Sequence, residues 1–232
     1  MTSLTNSLTN LIHSIEDIKH AFYINLEHRV DRKEYVEKQL KSVGVKAERL
    51  NAIKMDNGAI GCSLSHLKCL EIAYKHNWDH VLICEDDITF LNPDLFKQQL
   101  NTFLKVKNQE KSVWDVILLG GNNIPPYTVI DDTCIKVTKC QTTTGYIVNG
   151  HYIKKLMDNV KLGVYYLIKN PSHHHKYAID KFWFYLQNIG NWFLIIPLTV
   201  TQKPGYSDIE KKETNYNNVM TDIDKKYFLT NR

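Results

Sequence analysis

Short apolar runs alternate with stretches of helical periodicity along most of this chain, and that alternation limits the available folds more than any other feature. Residues 21–26 (AFYINL) suit a buried strand. In the stretch that follows, Asp31 can cap a helix, with Glu34 at capping-box spacing. Val36, Leu40 and Val43 repeat at helical intervals, and Gly44 is placed to end the helix. Residues 45–50 read as a second strand. After the Asn57-Gly58 turn signal a helix is predicted over 61–76, with Leu64, Leu67, Leu70 and Ala73 at every third position. Residues 80–84 (HVLIC) read as a strand, 93–106 as an amphipathic helix, and 113–119 as a strand ending in Gly120-Gly121. Strand composition returns at 135–138, 143–148 and 192–200, with helices predicted at 150–160 and 178–189. This order predicts an α/β fold, a mostly parallel central sheet with helices on its faces.

A chain of 232 residues can bury a sizeable core without disulfide or metal staples. One domain is expected over 20–209. Residues 1–19 form an N-terminal extension, with Leu8, Leu11, Ile12, Ile15 and Ile18 able to share a helix face, and 210–232 a polar C-terminal tail. The balance of 29 basic and 25 acidic residues argues for no nucleic-acid partner. No apolar run is long enough for a transmembrane segment, and the first twenty residues lack a signal-peptide pattern, so a cytoplasmic protein is expected. The cysteines (Cys62, Cys69, Cys84, Cys134, Cys140) are odd in number and form no CxxC pair. Reduced thiols fit better than a disulfide framework or a zinc site.

Glu85-Asp86-Asp87 is the most informative triplet. Three adjacent carboxylates repel one another unless a cation or hydrogen-bond donors offset the charge. They follow a buried strand, at the end where open α/β sheets bind ligands. Hard oxygens suit Mg²⁺ or Mn²⁺, which completes its shell with substrate phosphate; a solvated acidic turn is the plainer alternative. Asn25, Arg29 and Arg32 stand at and beyond the first strand's end, where guanidinium forks suit phosphate or uracil. The arginines could equally pair with Asp31 or Glu34 on a helix surface. Leu50, Asn51 and Ala52 end the second strand, where backbone groups can read a nucleobase. The stretch 61–66 (GCSLSH) is read as a helix start with free N–H groups for an anion, and Ser65 and His66 as contacts to phosphate or base; capping and packing are the alternatives. The segment 143–146 (TTGY) reads as a strand whose glycine suggests close approach to a ligand, and Thr144 and Gly145 are assigned with Thr143 and Tyr146 to the donor-sugar and acceptor pocket. The run His173-His174-His175 reads as a structural or solvated loop, and Trp183, Phe184, Tyr185 and Trp192 as core.

Eight motifs stand in order: YINLEHRVDR (23–32), RLNAI (49–53), GAIGCSLSHL (58–67), LICEDD (82–87), WDVILLG (114–120), TTGYIVN (143–149), AID (178–180) and PLTVTQKPGYSDI (197–209). Together they resemble glycosyltransferase family 25, which includes lipooligosaccharide galactosyltransferases and collagen β-galactosyltransferases. The resemblance implies a GT-A fold, a UDP-sugar donor (usually UDP-galactose), a divalent metal (Mn²⁺ first, Mg²⁺ second), a glycan or glycoprotein acceptor, and inversion at the anomeric carbon. By that pattern Asp87 bridges metal and diphosphate. Glu85 aids the metal through water or contacts the donor, beside Asp86. Asn25 and Arg32 go to the donor site, and Ser65 and His66 gain weight as contacts. Gln202, Ser207 and Asp208 belong to a loop closing over the diphosphate, with Lys203 offsetting leaving-group charge. Asp180 is the candidate general base by the same pattern, and a cap on the helix that follows is its plainer reading. His28-Arg29 departs from the paired basic residues the family often has. Two rival readings are a non-catalytic nucleotide-sugar or glycan-binding module, and a glycoside hydrolase, which needs neither metal nor nucleotide.

Overall fold

A computed structural model describes residues 12–207 and 210–226. The chain begins with β1 (Ala21–Asn25), α1 (Val30–Ser42), β2 (Glu48–Asn51), α2 (Gly58–Lys75), β3 (His80–Glu85), β4 (Ile88–Phe90) and α3 (Pro93–Gln109). It continues through β5 (Val116–Asn123), β6 (Thr128–Asp131), β7 (Cys134–Lys136), β8 (Cys140–Asn149) and α4 (Gly150–Lys169). Three short helices follow: α5 (His174–Tyr177), α6 (Ile179–Phe182) and α7 (Phe184–Ile189). The chain closes with β9 (Trp192–Ile195), β10 (Val200–Gln202), β11 (Gly205–Ser207), β12 (Lys212–Thr214) and α8 (Asn217–Met220).

Eight strands form one sheet in the order β2-β1-β3-β8-β5-β9-β7-β6. β1 pairs in parallel with β2 and β3, and β5 with β9. β8 runs antiparallel between β3 and β5, and β7 antiparallel between β9 and β6. Six of the eight strands therefore share a direction, as the strand–helix alternation predicts. One face buries Leu67, Leu70 and Ala73 of α2 with Leu156 and Val160 of α4; the other buries Val36 and Leu40 of α1 with Phe96, Leu100 and Leu104 of α3. Trp183 and Trp192 are fully buried and meet edge-on at 5.2 Å. Each such ring buries roughly 150–250 Å², which makes the pair a principal anchor of its face. Tyr185 is the exception among the aromatics expected in the core: it is 67% exposed, because α7 turns that side to solvent.

Several boundaries differ from the sequence expectation for local reasons. α2 starts at Gly58, not Gly61, because the Asn57 side chain accepts from the N–H groups of Ala59 and Ile60. α1 has Arg29 rather than Asp31 at its N-cap, and Asp31 lies inside the first turn. The segment 192–200 divides into β9 and β10, and β10 leaves the large sheet to pair antiparallel with β4. Residues 210–226, read as polar tail, include β12, which pairs with β11, and α8, where Asn217 accepts from the Thr201 hydroxyl. Leu8 and Leu11 of the proposed N-terminal helix face lie outside the described residues; Ile12, Ile15 and Ile18 are buried against α3 and its neighbours.

Candidate functional site

The parallel pairing of β1, β2 and β3 brings their carboxyl ends together. Asn25 pairs in register with Asn51, and Ile24 with Glu85. Residues distant in sequence thus meet at one edge of the sheet. Asp86 accepts from Asn25 Nδ2 at 2.8 Å and from Arg32 Nη1 at 3.0 Å. The same Arg32 nitrogen reaches Asp87 Oδ2 at 3.3 Å, and Nη2 donates to the Tyr206 carbonyl at 3.0 Å. Arg49 holds Asn25 in place, donating to its Oδ1 at 3.0 Å.

Glu85 lies on the α2 side of the sheet, where β10 and β8 also reach it. Gln202 Nε2 donates to Glu85 Oε2 at 2.9 Å and to Asp87 Oδ1 at 3.3 Å, so one amide bridges two carboxylates. Thr143 Oγ1 donates to Glu85 Oε1 at 2.6 Å. His66 Nε2 lies 3.4 Å from that oxygen while its Nδ1 meets the Tyr146 hydroxyl at 2.9 Å. Burial works against ionising all three carboxylates. It raises Asp87 to about 8, with the neighbouring Glu85 charge adding to the shift. Burial also raises Asp86 despite its bonds to Asn25 and Arg32. For Glu85 burial pushes upward, but hydrogen bonds from His66 and Thr143 and the His66 charge outweigh it, and its carboxyl lies below the ordinary value. The cluster therefore holds one well-satisfied carboxylate beside one that keeps its proton near neutrality. A divalent cation would replace that proton, and the paired oxygens of Glu85 and Asp87 fit a hard cation.

Of the remaining sequence candidates, some are brought to this cluster and others are turned away from it. Arg29 donates twice to Asp31, both at 3.0 Å, which is the surface pairing rather than a ligand contact. Ser65 is buried; its hydroxyl accepts from the Ile53 N–H at 2.8 Å and donates to the Gly61 carbonyl. It fixes the loop after β2 rather than facing a phosphate. His66 is likewise fully buried, against Tyr146 and Glu85. Both lie beyond the first turn of α2, so the anion-binding helix start expected at 61–66 is absent: Asn57 caps the true start. Ala52 donates its N–H to the Asn25 carbonyl at 3.0 Å, extending the β1–β2 edge. Thr144 is buried. A Cβ on Gly145 would lie 2.7 Å from Ile88 Cδ1, so this glycine makes room for core packing. Ser207 accepts from the Glu210 N–H at 3.1 Å, and Asp208 lies outside the described residues.

Asp180, in α6, accepts from the Thr142 N–H at 3.1 Å and lies 3.5 Å from Lys181 Nζ. Thr142 is held at φ 72°, a conformation costly for a β-branched residue, and this aims its N–H at the carboxylate. Tyr216 bonds to Glu210. Burial raises its phenol first, then Glu210, and the charges of Asp180 and Asp87 add to the rise, which puts both aspartates within electrostatic reach of one ring. The sequence places 143–146 by the donor sugar and acceptor and Gln202 in a closing loop, but it does not signal that Thr143 and Gln202 bond to Glu85, that Tyr146 meets His66, or that Cys62 lies beside Glu85. Their part depends on β8 and β10 reaching the end of β3, which no local pattern signals.

The sequence profile described as glycosyltransferase family 25 (LPS biosynthesis protein) matches residues 54–168. A glycosyltransferase 25 family member of Aedes aegypti is 26% identical, over 88% of this chain and 40% of its own length. The chain belongs to glycosyltransferase family 25. The Xenopus laevis procollagen galactosyltransferase 1-B is also 26% identical, over 61% of this chain and 28% of its own length. The human inactive glycosyltransferase 25 family member 3 is 29% identical, over 42% and 15%. This family 25 chain thus spans two-fifths or less of the length of these relatives. A solved mannose-1-phosphate geranyltransferase from Thermus thermophilus aligns over 75% of this chain and 58% of its own at 10% identity, with a TM-score of 0.41, a likeness too slight to carry an argument. The profile covers the half of the site built by α2, β3 and β8; Asn25, Arg32, Asp180 and Gln202 lie outside it. Among the described residues no helix is long and apolar enough to cross a membrane.

Proposed function

We propose that this chain is a metal-dependent inverting glycosyltransferase that moves a hexose from a UDP-sugar to a hydroxyl of a glycan or glycoprotein. The observation that carries the reading is the Glu85–Asp87 pair at the carboxyl ends of parallel strands, bridged by Gln202 in a family 25 chain. Galactose is the favoured sugar, because a relative is named a procollagen galactosyltransferase.

Glu85 and Asp87 would hold the cation, Mn²⁺ or Mg²⁺, whose charge offsets that of the departing diphosphate. Arg32 keeps Asp86 and Asp87 oriented and adds positive charge beside the same edge. The strand ends at Asn25, Asn51 and Ala52 present backbone and amide groups for the nucleoside. Asp180 takes the proton of the attacking acceptor hydroxyl as it displaces UDP in line from the anomeric carbon. The bond from the Thr142 N–H orients that carboxylate, with the Lys181 ammonium beside it. Inverting transfer needs no covalent enzyme intermediate.

Calorimetry with UDP tests the metal assignment. Binding should be tighter with Mn²⁺ than with EDTA, and Asp87→Ala should remove most of the difference; equal affinities would overturn it. A relative named as inactive favours a second reading, a non-catalytic binding module of the same fold. Release of UDP on incubation of a UDP-sugar with acceptor separates the two.

A further inference from the structure

Cys62 and His66 stand four residues apart on α2, so their side chains share one helix face. That face looks at the end of β3. Cys62 Sγ is 3.7 Å from Glu85 Oε1, and His66 Nε2 is 3.4 Å from the same oxygen. The three ligand atoms all lie within 4.8 Å of one another. A tetrahedral zinc centre with ordinary bond lengths has edges of about 3.4 Å between nitrogen and oxygen and about 3.6 Å between sulfur and oxygen. Both Glu85 edges match those lengths, and the third, between Sγ and Nε2, is within 4.8 Å.

We propose that Cys62, His66 and Glu85 form a site for a thiophilic divalent cation, Zn²⁺ by the chemistry of its donors. Sulfur, imidazole and a single carboxylate oxygen make a softer set than the hard oxygens of Glu85 and Asp87, and they select a different ion. The supporting contacts are already in place. Tyr146 hydroxyl, buried and 2.9 Å from His66 Nδ1, fixes the ring so that Nε2 faces the centre. Thr143 donates to the ligand oxygen Oε1 and Gln202 to Oε2, and the two hold the carboxylate in place. Cys62 binds as thiolate and releases its proton to solvent; it is only partly buried, so the ion has a route in. The cysteine spacings gave no hint of this centre, because its ligands are one helix face and a strand end rather than a CxxC pair. Glu85 is common to this centre and to the proposed Mn²⁺ site, but the soft site stands on its own geometry and is tested without activity.

Cobalt(II) titration of the full chain reads the site directly, because a bound thiolate gives a near-ultraviolet charge-transfer band that surface histidines such as His173–His175 do not give. One equivalent should develop the band, Zn²⁺ should abolish it, and Cys62→Ser should not show it. Tyr146→Phe should keep the band and weaken binding by about tenfold. A wild-type measurement guards against a variant that does not fold: Zn²⁺ should slow alkylation of Cys62 by at least about tenfold, while the buried Cys69, Cys84, Cys134 and Cys140 stay unreactive with or without it. No band in wild type, an undiminished band in Cys62→Ser, or an unchanged alkylation rate would each overturn the proposal.

Discussion

Both ends of the central sheet carry titratable side chains, and they use them in opposite ways. At the amino ends of β1 and β3, His20 stacks on Trp78 with ring centroids 4.0 Å apart, and His80 lies 2.8 Å from Asp79. His80 Nε2 accepts the Lys19 N–H at 3.1 Å. Burial lowers both histidines, so each ring is neutral, and His80 Nδ1 is buried without a hydrogen bond. At the carboxyl ends, three adjacent carboxylates meet an arginine from α1, an asparagine from β1, a threonine from β8 and a glutamine from β10. Like charge is crowded there and only partly offset. The amino end carries neutral rings, whereas the carboxyl end leaves Asp87 holding a proton near neutrality, a perturbation of the kind that clusters at functional sites.

The contrast breaks most severely at Arg32. Arg32→Met leaves Asp86 and Asp87 without their cation, and should lower the unfolding free energy by about 3 kcal/mol in chemical denaturation. A change below about 1 kcal/mol would mean that the ion pair is no more than a surface contact. Asp180→Asn comes next. It keeps the size and the place of the side chain but takes no proton, so transfer should fall by about 10²-fold while UDP–Mn²⁺ affinity is kept. Turnover within a few-fold of wild type would remove Asp180 from the base role.

The pH response sharpens the contrast, because the two ends should tilt stability in opposite directions. Asp87 is raised to about 8 in the folded chain by burial and then by Glu85. Between the ordinary carboxylate value and about 8 the folded state therefore binds a proton that the unfolded state has lost. Stability of the chelated protein should fall as pH rises through that window, by at most about 1.4 kcal/mol per pH unit from this group. Asp87→Asn should flatten that slope in melts taken from about pH 5 to 8; an unchanged slope refutes the assignment. His80 is lowered by burial, and the unfolded state binds its proton first. Its contribution is complete above the ordinary histidine value and is lost as pH falls below it. His80→Gln should therefore reduce the acid-side loss and leave the alkaline side alone, the smallest of these effects.

What the sequence made legible follows from the range of each interaction. The triplet 85–87 stands out because three carboxylates in a row need no structure to be noticed, and HVLIC before it marks a buried strand. Val36 and Leu40 announce their helix by spacing alone. By contrast, the sequence points to a start of α2 three residues late, since the side chain of Asn57 caps the helix at 58. Gly145 draws attention for a ligand, and in the fold it makes room for Ile88. Thr143 and Gln202 reach Glu85, and Tyr146 reaches His66, only once β8 has been inserted beside β3 and β10 has crossed to β4, and such long-range pairings leave no periodic trace. Cys62 and His66 were visible as a helical pair only after their common target was known.

The place of β8 has a consequence for the order of assembly. β1, β2 and β3 lie within the first 85 residues and can pair early, but the partner of β3 on its other side is residues 140–149. Until that segment arrives, β3 presents an apolar, unpaired edge, HVLIC, of the kind that templates pairing between chains. Closing such a long loop is slow compared with local helix formation. The docking of β8 thus does two things at once: it covers the apolar edge of β3 and brings Thr143 to Glu85.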